Sequence, residues 1–217
     1  MSKAKPKILK GCSKFQIGAI PSHQSQEHLF TLKSVMLWYE NMKITKIIQL
    51  YDISKFFDRE NLKDGMNTLY NCGINGKLYR MIYELNKKTV LKVKTGVGMS
   101  SSQEIGENIT QGSICGALIS TANLDYTVNS QFEKSPYEIS YSSNRLQPLI
   151  FQDDICRMCV SLSHAQAGNL IIQACMESKL LDLNTDKSCF LVIGSQKTKA
   201  NIKSELKDYP LTTVKFG

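Results

Sequence analysis

Residues 149–158, Leu-Ile-Phe-Gln-Asp-Asp-Ile-Cys-Arg-Met, set two adjacent carboxylates inside an apolar run. Burying one carboxylate is costly, and burying two neighbours is worse. Adjacent side chains of a strand point to opposite faces, so Asp153 and Asp154 reach one site only where the chain turns. Residues 147–162 therefore read as a hairpin, with Gln152, Asp153 and Asp154 at its tip. A second apolar run, residues 46–52, is rich in isoleucine, reads as a buried strand and ends at Asp52. If the two strand ends are neighbours in one sheet, three carboxylates converge. Three carboxylates do not all stay ionised without cations. Hard divalent ions with oxygen ligands suit them, and Mg²⁺ is the usual choice where phosphates share the coordination. Two such ions clamp the attacking and leaving oxygens of a phosphoryl displacement. The Asp-Asp pair also fits an exposed hairpin turn, because Asp favours turns.

The remaining pattern is α+β. Residues 1–25 read as irregular and basic. Apolar spacing predicts helices over 26–41, 59–73, 76–88, 115–132 and 163–179, the last behind a Ser163 cap. Residues 89–98 alternate as a half-exposed strand, and Cys189–Ile193 is a further strand. Residues 99–113 and 133–146 read as polar connectors, and 196–217 as a Lys-rich tail. This order suggests a mainly antiparallel sheet with helices on one face. A chain of 217 residues with 42% hydrophobic content can build a real core. The net charge of +8 favours a polyanionic partner such as nucleic acid, although a basic protein without one has the same charge.

Seven cysteines, an odd number scattered through apolar segments, do not read as a disulfide framework and place the chain in an intracellular, reducing compartment, nucleus or cytoplasm. No apolar run approaches the roughly 18 residues of a membrane span, so no membrane partner is expected. Cys156 and Cys159 lack a second ligand pair and, three apart on a strand, read as packing residues. His23, His28 and His164 are dispersed. Gly96-Val97-Gly98 does not make a phosphate loop.

Four stretches carry a resemblance. They are Tyr-Asp-Ile-Ser-Lys-Phe-Phe-Asp-Arg-Glu-Asn at 51–61, Thr-Gln-Gly-Ser-Ile-Cys-Gly-Ala-Leu-Ile-Ser at 110–120, Phe-Gln-Asp-Asp-Ile at 151–155, and Leu-Asp-Leu-Asn-Thr-Asp-Lys-Ser-Cys-Phe-Leu-Val-Ile-Gly at 181–194. In this order they resemble the successive palm motifs of reverse transcriptases, closest to those of non-LTR (LINE-like) retroelement pol proteins. Residues 12–30 resemble the segment that precedes the palm in that group.

The resemblance implies a polymerase palm with a mainly antiparallel sheet backed by helices, plus partial fingers elements. It divides the chain into a lead-in over 1–45, a palm over 46–195 with a fingers insertion about 59–105, and a tail over 196–217 toward a missing thumb. Asp52, Asp153 and Asp154 match the metal-binding aspartates, and Ile53 would offer its backbone carbonyl to a metal. Phe57 matches the aromatic that packs under the nucleotide sugar and excludes a 2′-hydroxyl. Gln111 and Gly112 match the loop that contacts incoming nucleotide and template. Lys187 matches the lysine near the leaving pyrophosphate, where it serves as a general acid.

The implied activity is RNA-directed DNA polymerisation onto a primer 3′-hydroxyl. Its partners are an RNA template, a DNA or RNA primer, deoxynucleoside triphosphates and the remainder of a longer pol polyprotein. Its cofactors are two Mg²⁺ ions, with Mn²⁺ as a substitute. The family pattern is broken at Thr110, where a basic residue is usual, and at Ser113, where proline often follows. It is also broken at Gln152, where a small residue is common, and at Ser22 and Gln24, where glycine and arginine are. Read without the series, Phe56 and Phe57 are core aromatics, Lys187 is a solvated turn lysine, and Gln111-Gly112 is a helix-entry turn. Lys55, Asp58 and Arg59 are then a surface charge cluster. Two other functions fit the motifs: an inactive relic that binds nucleic acid through its basic surface, and an RNA-dependent RNA polymerase. Phe57 disfavours the latter, whose palm carries an acidic residue there.

Overall fold

The computed structural model describes residues 5–44, 46–87, 89–105, 109, 115–136, 139–141, 144–194, 200–201 and 215–216. The chain opens with α1 (Lys5–Gly11), α2 (Ser25–Asn41), β1 (Lys46–Tyr51), α3 (Phe56–Arg59), α4 (Leu62–Asn71) and α5 (Gly76–Asn86). Four short strands follow: β2 (Thr89–Leu91), β3 (Lys94–Thr95), β4 (Gly98–Met99) and β5 (Gln103–Ile105). After α6 (Gly116–Glu133) come β6 (Ile139–Tyr141), β7 (Asn144–Leu146), β8 (Leu149–Phe151) and β9 (Asp154–Cys159). The chain closes with α7 (Leu162–Ser178), β10 (Cys189–Ile193) and β11 (Lys215–Phe216).

The main sheet has the order β11-β10-β1-β9-β8. β1 pairs antiparallel with both β10 and β9, β8 pairs antiparallel with β9, and the edge pair β10-β11 is parallel. Strand alternation divides the side chains of β1 between two faces. On one face Ile47 meets Leu162 and Ala165 of α7, and Tyr51 meets Leu124 and Val128 of α6 and Ile172 of α7. On the other, Ile48 packs with Leu149, Met158 and the α2 residues Val35 and Tyr39. Burying each such apolar side chain is worth ~1.5–3 kcal/mol, so packing on both faces fixes the sheet. A separate core gathers Ile8, Leu62, Met66, Leu69, Ile82 and Ile119 from α1, α4, α5 and α6.

Two polar residues lie in the α7 face of the sheet. Arg157 Nη1 donates to Gln49 Oε1 (2.7 Å) and to the His164 carbonyl (3.2 Å), and Gln49 Nε2 donates to the Ala165 carbonyl (3.0 Å). Gly168 makes room for the guanidinium, since a Cβ there would stand 2.0 Å from Arg157 Cζ.

The structure departs from the sequence expectations in several places. Residues 5–11, expected irregular, form α1. The helix expected over 59–73 begins only at Leu62, as α4, behind the separate turn α3, because Glu60 is extended and Asn61 caps α4, accepting from Lys63 N at 2.7 Å. The strand expected over 89–98 is interrupted, with Gly96-Val97 as the tip between β3 and β4. β5 lies in the first expected connector, and the β6-β7 hairpin lies in the second. α7 begins earlier than expected, behind Ser161 and not Ser163, with the Ser161 hydroxyl accepting from His164 N at 3.2 Å. Helices cover both faces of the sheet and not one, because α2 packs opposite α6 and α7. Among the described residues no helix is long and apolar enough to cross a membrane.

Candidate active site

The last paired residue of β1, Tyr51, faces Ile155 of β9. Asp52 comes next, so it falls beside Asp154, the first residue of β9. Phe151 pairs with Asp154 across a two-residue turn, Gln152-Asp153. The turn therefore sits one residue earlier than the Asp-Asp pair, with Asp153 on the tip and Asp154 in the strand. Alternation places Asp52 and Asp154 on the α2 face of the sheet, beyond Ile48 and Met158. Gln152 takes φ 58°, a positive value usually given to glycine at the first position of such a turn. The burial cost that the apolar context suggests is smaller in the fold. Asp153 is half-buried, Asp154 is exposed, and the Asp52 side chain keeps 25% of its surface.

Lys187 Nζ stands 3.7 Å from Asp52 Oδ1. The Asp154 carboxyl is raised above its ordinary value, first by partial desolvation in the cleft wall and then by the charges of Asp153 and Asp52, with Lys187 opposing. Solvent reaching the exposed Asp154 screens this repulsion. The four charged groups thus act on one another. Among the described residues, however, no three His, Cys, Asp or Glu side chains are grouped closely enough to hold a metal ion. The cluster is an open one. Its donor type, carboxylate oxygen, and its excess of anionic charge fit a hard divalent cation.

Backbone contacts bring Lys187 to this place. Asp52 N donates to Ser188 Oγ (3.1 Å), and the Asp52 carbonyl accepts from Asn184 N (2.8 Å). Ser54 N donates to the Asp182 carbonyl (2.8 Å), and Ile53 bridges Leu183. The turn before β10 is thereby tied to the end of β1. Sequence reasoning missed Asn184 and Ser188, and a polar turn before a strand carries no signal for them.

Two clefts meet at the cluster. A polar one of about 600 Å³ is walled by Lys55, Phe57, Asp58 and Asp153, and a more apolar one of about 450 Å³ by Leu29, Leu32, Leu149 and Phe151. Asp52 and Lys187 line both. Phe56 is core, whereas Phe57 is half-buried, edge-on to Phe56 at 5.4 Å between ring centroids, and faces the polar cleft. Ile53 is buried as a side chain but borders the same cleft. Arg59 pairs with Asp182. Cys156 lies at the apolar cleft and Cys159 is buried on the other face. Burial pushes these thiols up to about 12 and about 11, which leaves neither as a nucleophile. Gln111 and Gly112 lie outside the described residues.

No family model matches the sequence, and no curated protein matches it. Solved structures do. Telomerase from Candida tropicalis in complex with a TWJ fragment of telomeric RNA superposes with a TM-score of 0.68 at 10% identity, over 90% of this chain and 33% of that one. Apo telomerase from Candida tropicalis gives 0.67 at 10% identity, over 90% and 36%. Telomerase from Candida albicans with a TWJ fragment of telomeric RNA gives 0.66 at 12% identity, over 89% and 34%. The fold is reverse-transcriptase-like. The chain spans about a third of the length of these telomerases, and at such identities the likeness concerns fold.

Proposed function

We propose that this chain is the palm-centred part of an RNA-directed DNA polymerase, a piece of a longer retroelement pol protein of the non-LTR kind. One observation carries the reading. Asp52, Asp153 and Asp154 stand at adjoining strand ends beside Lys187, between a polar and an apolar cleft, in a reverse-transcriptase-like fold. The motif order supports the retroelement origin. The net charge of +8 supports a nucleic-acid partner, as do the RNA complexes of the telomerases.

Phosphoryl transfer asks mainly for positioning and charge neutralisation. Asp52, Asp153 and Asp154, with the Ile53 carbonyl, would hold two Mg²⁺ ions, or Mn²⁺ in their place. Such ions, when bound, offset phosphate charge and acidify the primer 3′-hydroxyl. The polar cleft takes the triphosphate of the incoming nucleotide, with Lys55 and Lys187 as counter-charges. Lys187 Nζ hands a proton to the leaving pyrophosphate. Phe57 lies under the sugar, and its ring fills the space of a ribose 2′-hydroxyl. The apolar cleft receives the primer end on the other side of Asp52. Gln111 and Gly112 contact template and nucleotide.

A second reading, a binding protein without catalysis, is favoured by the open arrangement of the carboxylates. Primer extension on an RNA template with Mg²⁺ separates the two. Extension with deoxynucleotides, abolished in Asp153→Asn, establishes the polymerase. Salt-sensitive RNA binding without extension, even after fingers and thumb are grafted on, replaces it with the binding protein. Extension with ribonucleotides in preference would show an RNA polymerase.

A further inference from the structure

Residues 13–18 run along the free edge of β8. Ile17 N donates to the Ile150 carbonyl (3.1 Å) and Ile150 N to the Phe15 carbonyl (2.8 Å). Between them Gln16 is 1% exposed. Its Oε1 accepts from Gln152 N (3.2 Å) and from Gly18 N (2.8 Å), and its Nε2 donates to the Gln152 carbonyl (3.3 Å). Both backbone groups of Gln152 therefore end on one side chain. Exchanging the amide oxygen and nitrogen would set Nε2 against two N–H donors, so the partners fix the orientation. Gly18 completes the seat, since a Cβ there would stand 2.1 Å from Gln152 N. Ser13 anchors the segment to α6, its hydroxyl donating to Asp125 Oδ1 (2.6 Å) and its backbone N to Oδ2 (2.7 Å).

Gln152 is the residue with positive φ at the hairpin tip. A non-glycine residue stays in that conformation only where its surroundings over-determine it. Here the surroundings are the Gln16 amide. Asp153 and Asp154 follow directly, so the Gln152 dihedrals set where both carboxylates point.

We propose that Gln16 is a positioning residue: its amide locks the Gln152 peptide and thereby aims Asp153 and Asp154 at the site they share with Asp52. The proposal rests on the reading of these carboxylates as the metal-holding centre of a polymerase. Gln16 itself touches neither substrate nor the reacting atoms.

The test compares wild type with Gln16→Met, which keeps the volume and loses the hydrogen bonds, and Gln16→Glu, which restores an accepting oxygen. Two quantities are read in the full chain: amide hydrogen exchange residue by residue, and the affinity for Mn²⁺ alone. Gln16→Met is expected to speed exchange at Gln152 and Gly18 at least about tenfold while Ile48, in the central strand, stays protected. Mn²⁺ affinity is expected to fall at least about fivefold. Gln16→Glu is expected to return Gln152 exchange toward wild type. Gln16→Asn, its amide withdrawn by one methylene, carries the same prediction where Gln16→Met does not fold. Unchanged exchange at Gln152 overturns the proposal, and so does faster exchange with unchanged Mn²⁺ affinity. A wild type that binds no Mn²⁺ refutes the metal-centre reading instead, and the exchange result then still decides whether Gln16 holds the turn.

Discussion

Glu60 joins the helix that carries Phe57 to the cap of α4, and its side chain is buried against α6. Asn123 Nδ2 donates to Glu60 Oε1 at 3.0 Å, while Oε2 closes no hydrogen bond among the described residues. Burial raises the carboxyl from its ordinary 4.5 to about 7, against the partial opposition of Ser120, Asn123 and Lys179. Between those two pH values the folded chain binds a proton that the unfolded chain releases. Stability therefore falls as pH rises through the window, and the loss is complete above it. At about 1.4 kcal/mol for each pH unit, the gap is worth roughly 3 kcal/mol, most of which falls between pH 5 and pH 8. Domains of this size are stable by about 5–15 kcal/mol, so the change is large enough to measure. The assay is urea denaturation of wild type and Glu60→Gln at pH 5, 6, 7 and 8. Taking the difference between them removes groups that titrate in both, Asp154 included. The expected result is that Glu60→Gln gains on wild type by roughly 2–3 kcal/mol across the interval. A difference that stays constant or shrinks from pH 5 to pH 8 refutes the reasoning.

Other perturbations have outcomes of the same kind. Asp154→Asn removes a carboxylate that two neighbours repel, so its melting temperature at pH 7 should equal or exceed that of wild type, while extension falls at least about a hundredfold. A clearly lower melting temperature would mean that the repulsion is not felt. Phe57→Ala should lower the preference for deoxynucleotides over ribonucleotides at least about tenfold, and an unchanged ratio would remove Phe57 from the sugar site. Gly168→Ala drives a Cβ into Arg157 and should cost about 1–3 kcal/mol in urea denaturation. Full retention of stability would place the guanidinium elsewhere. RNA affinity should fall at least about tenfold between 50 and 200 mM salt, and a flat response would exclude a phosphate-binding groove.

What the sequence shows of this molecule depends on how far each determinant reaches. β1, β9, β10 and the long helices are legible because their apolar periodicity is local, whereas the place of Asp52 beside Asp154 depends on the pairing of β1 with β9, which the sequence leaves as a condition. The lysine-rich α1 has only Ile8 and Leu9 to mark a face, and its burial is a contact made with α4, α5 and α6. β5, β6 and β7 are three residues each, too short for alternation to show. The break between α3 and α4 occurs where Glu60 turns to meet Asn123, 63 residues away. Gln16 and Ser188 meet their partners across 136 residues, so no local pattern announces them. The one trace is a polar side chain between Phe15 and Ile17.

These long-range contacts explain how a self-repelling cluster is kept together. Carboxylates that repel one another separate if their backbone is free to move. Here Asp52 is held by Ser188 Oγ at its N–H and by Asn184 at its carbonyl. Asp154 is held by its pairing with Phe151, and Asp153 by the Gln152 peptide that Gln16 grips on both sides. With the backbone fixed at three points, the repulsion cannot relax through the chain. The raised Asp154 carboxyl reflects partial desolvation first and this repulsion second, and Lys187 approaches Asp52. Under the proposed reading, a divalent cation entering this open cluster draws the carboxylates closer by side-chain rotation alone, because the backbone that carries them is already held. The residues that make this so lie outside the motifs that name the chemistry, which is why Gln16, and not a fourth carboxylate, is the position where the architecture of the site is most open to test.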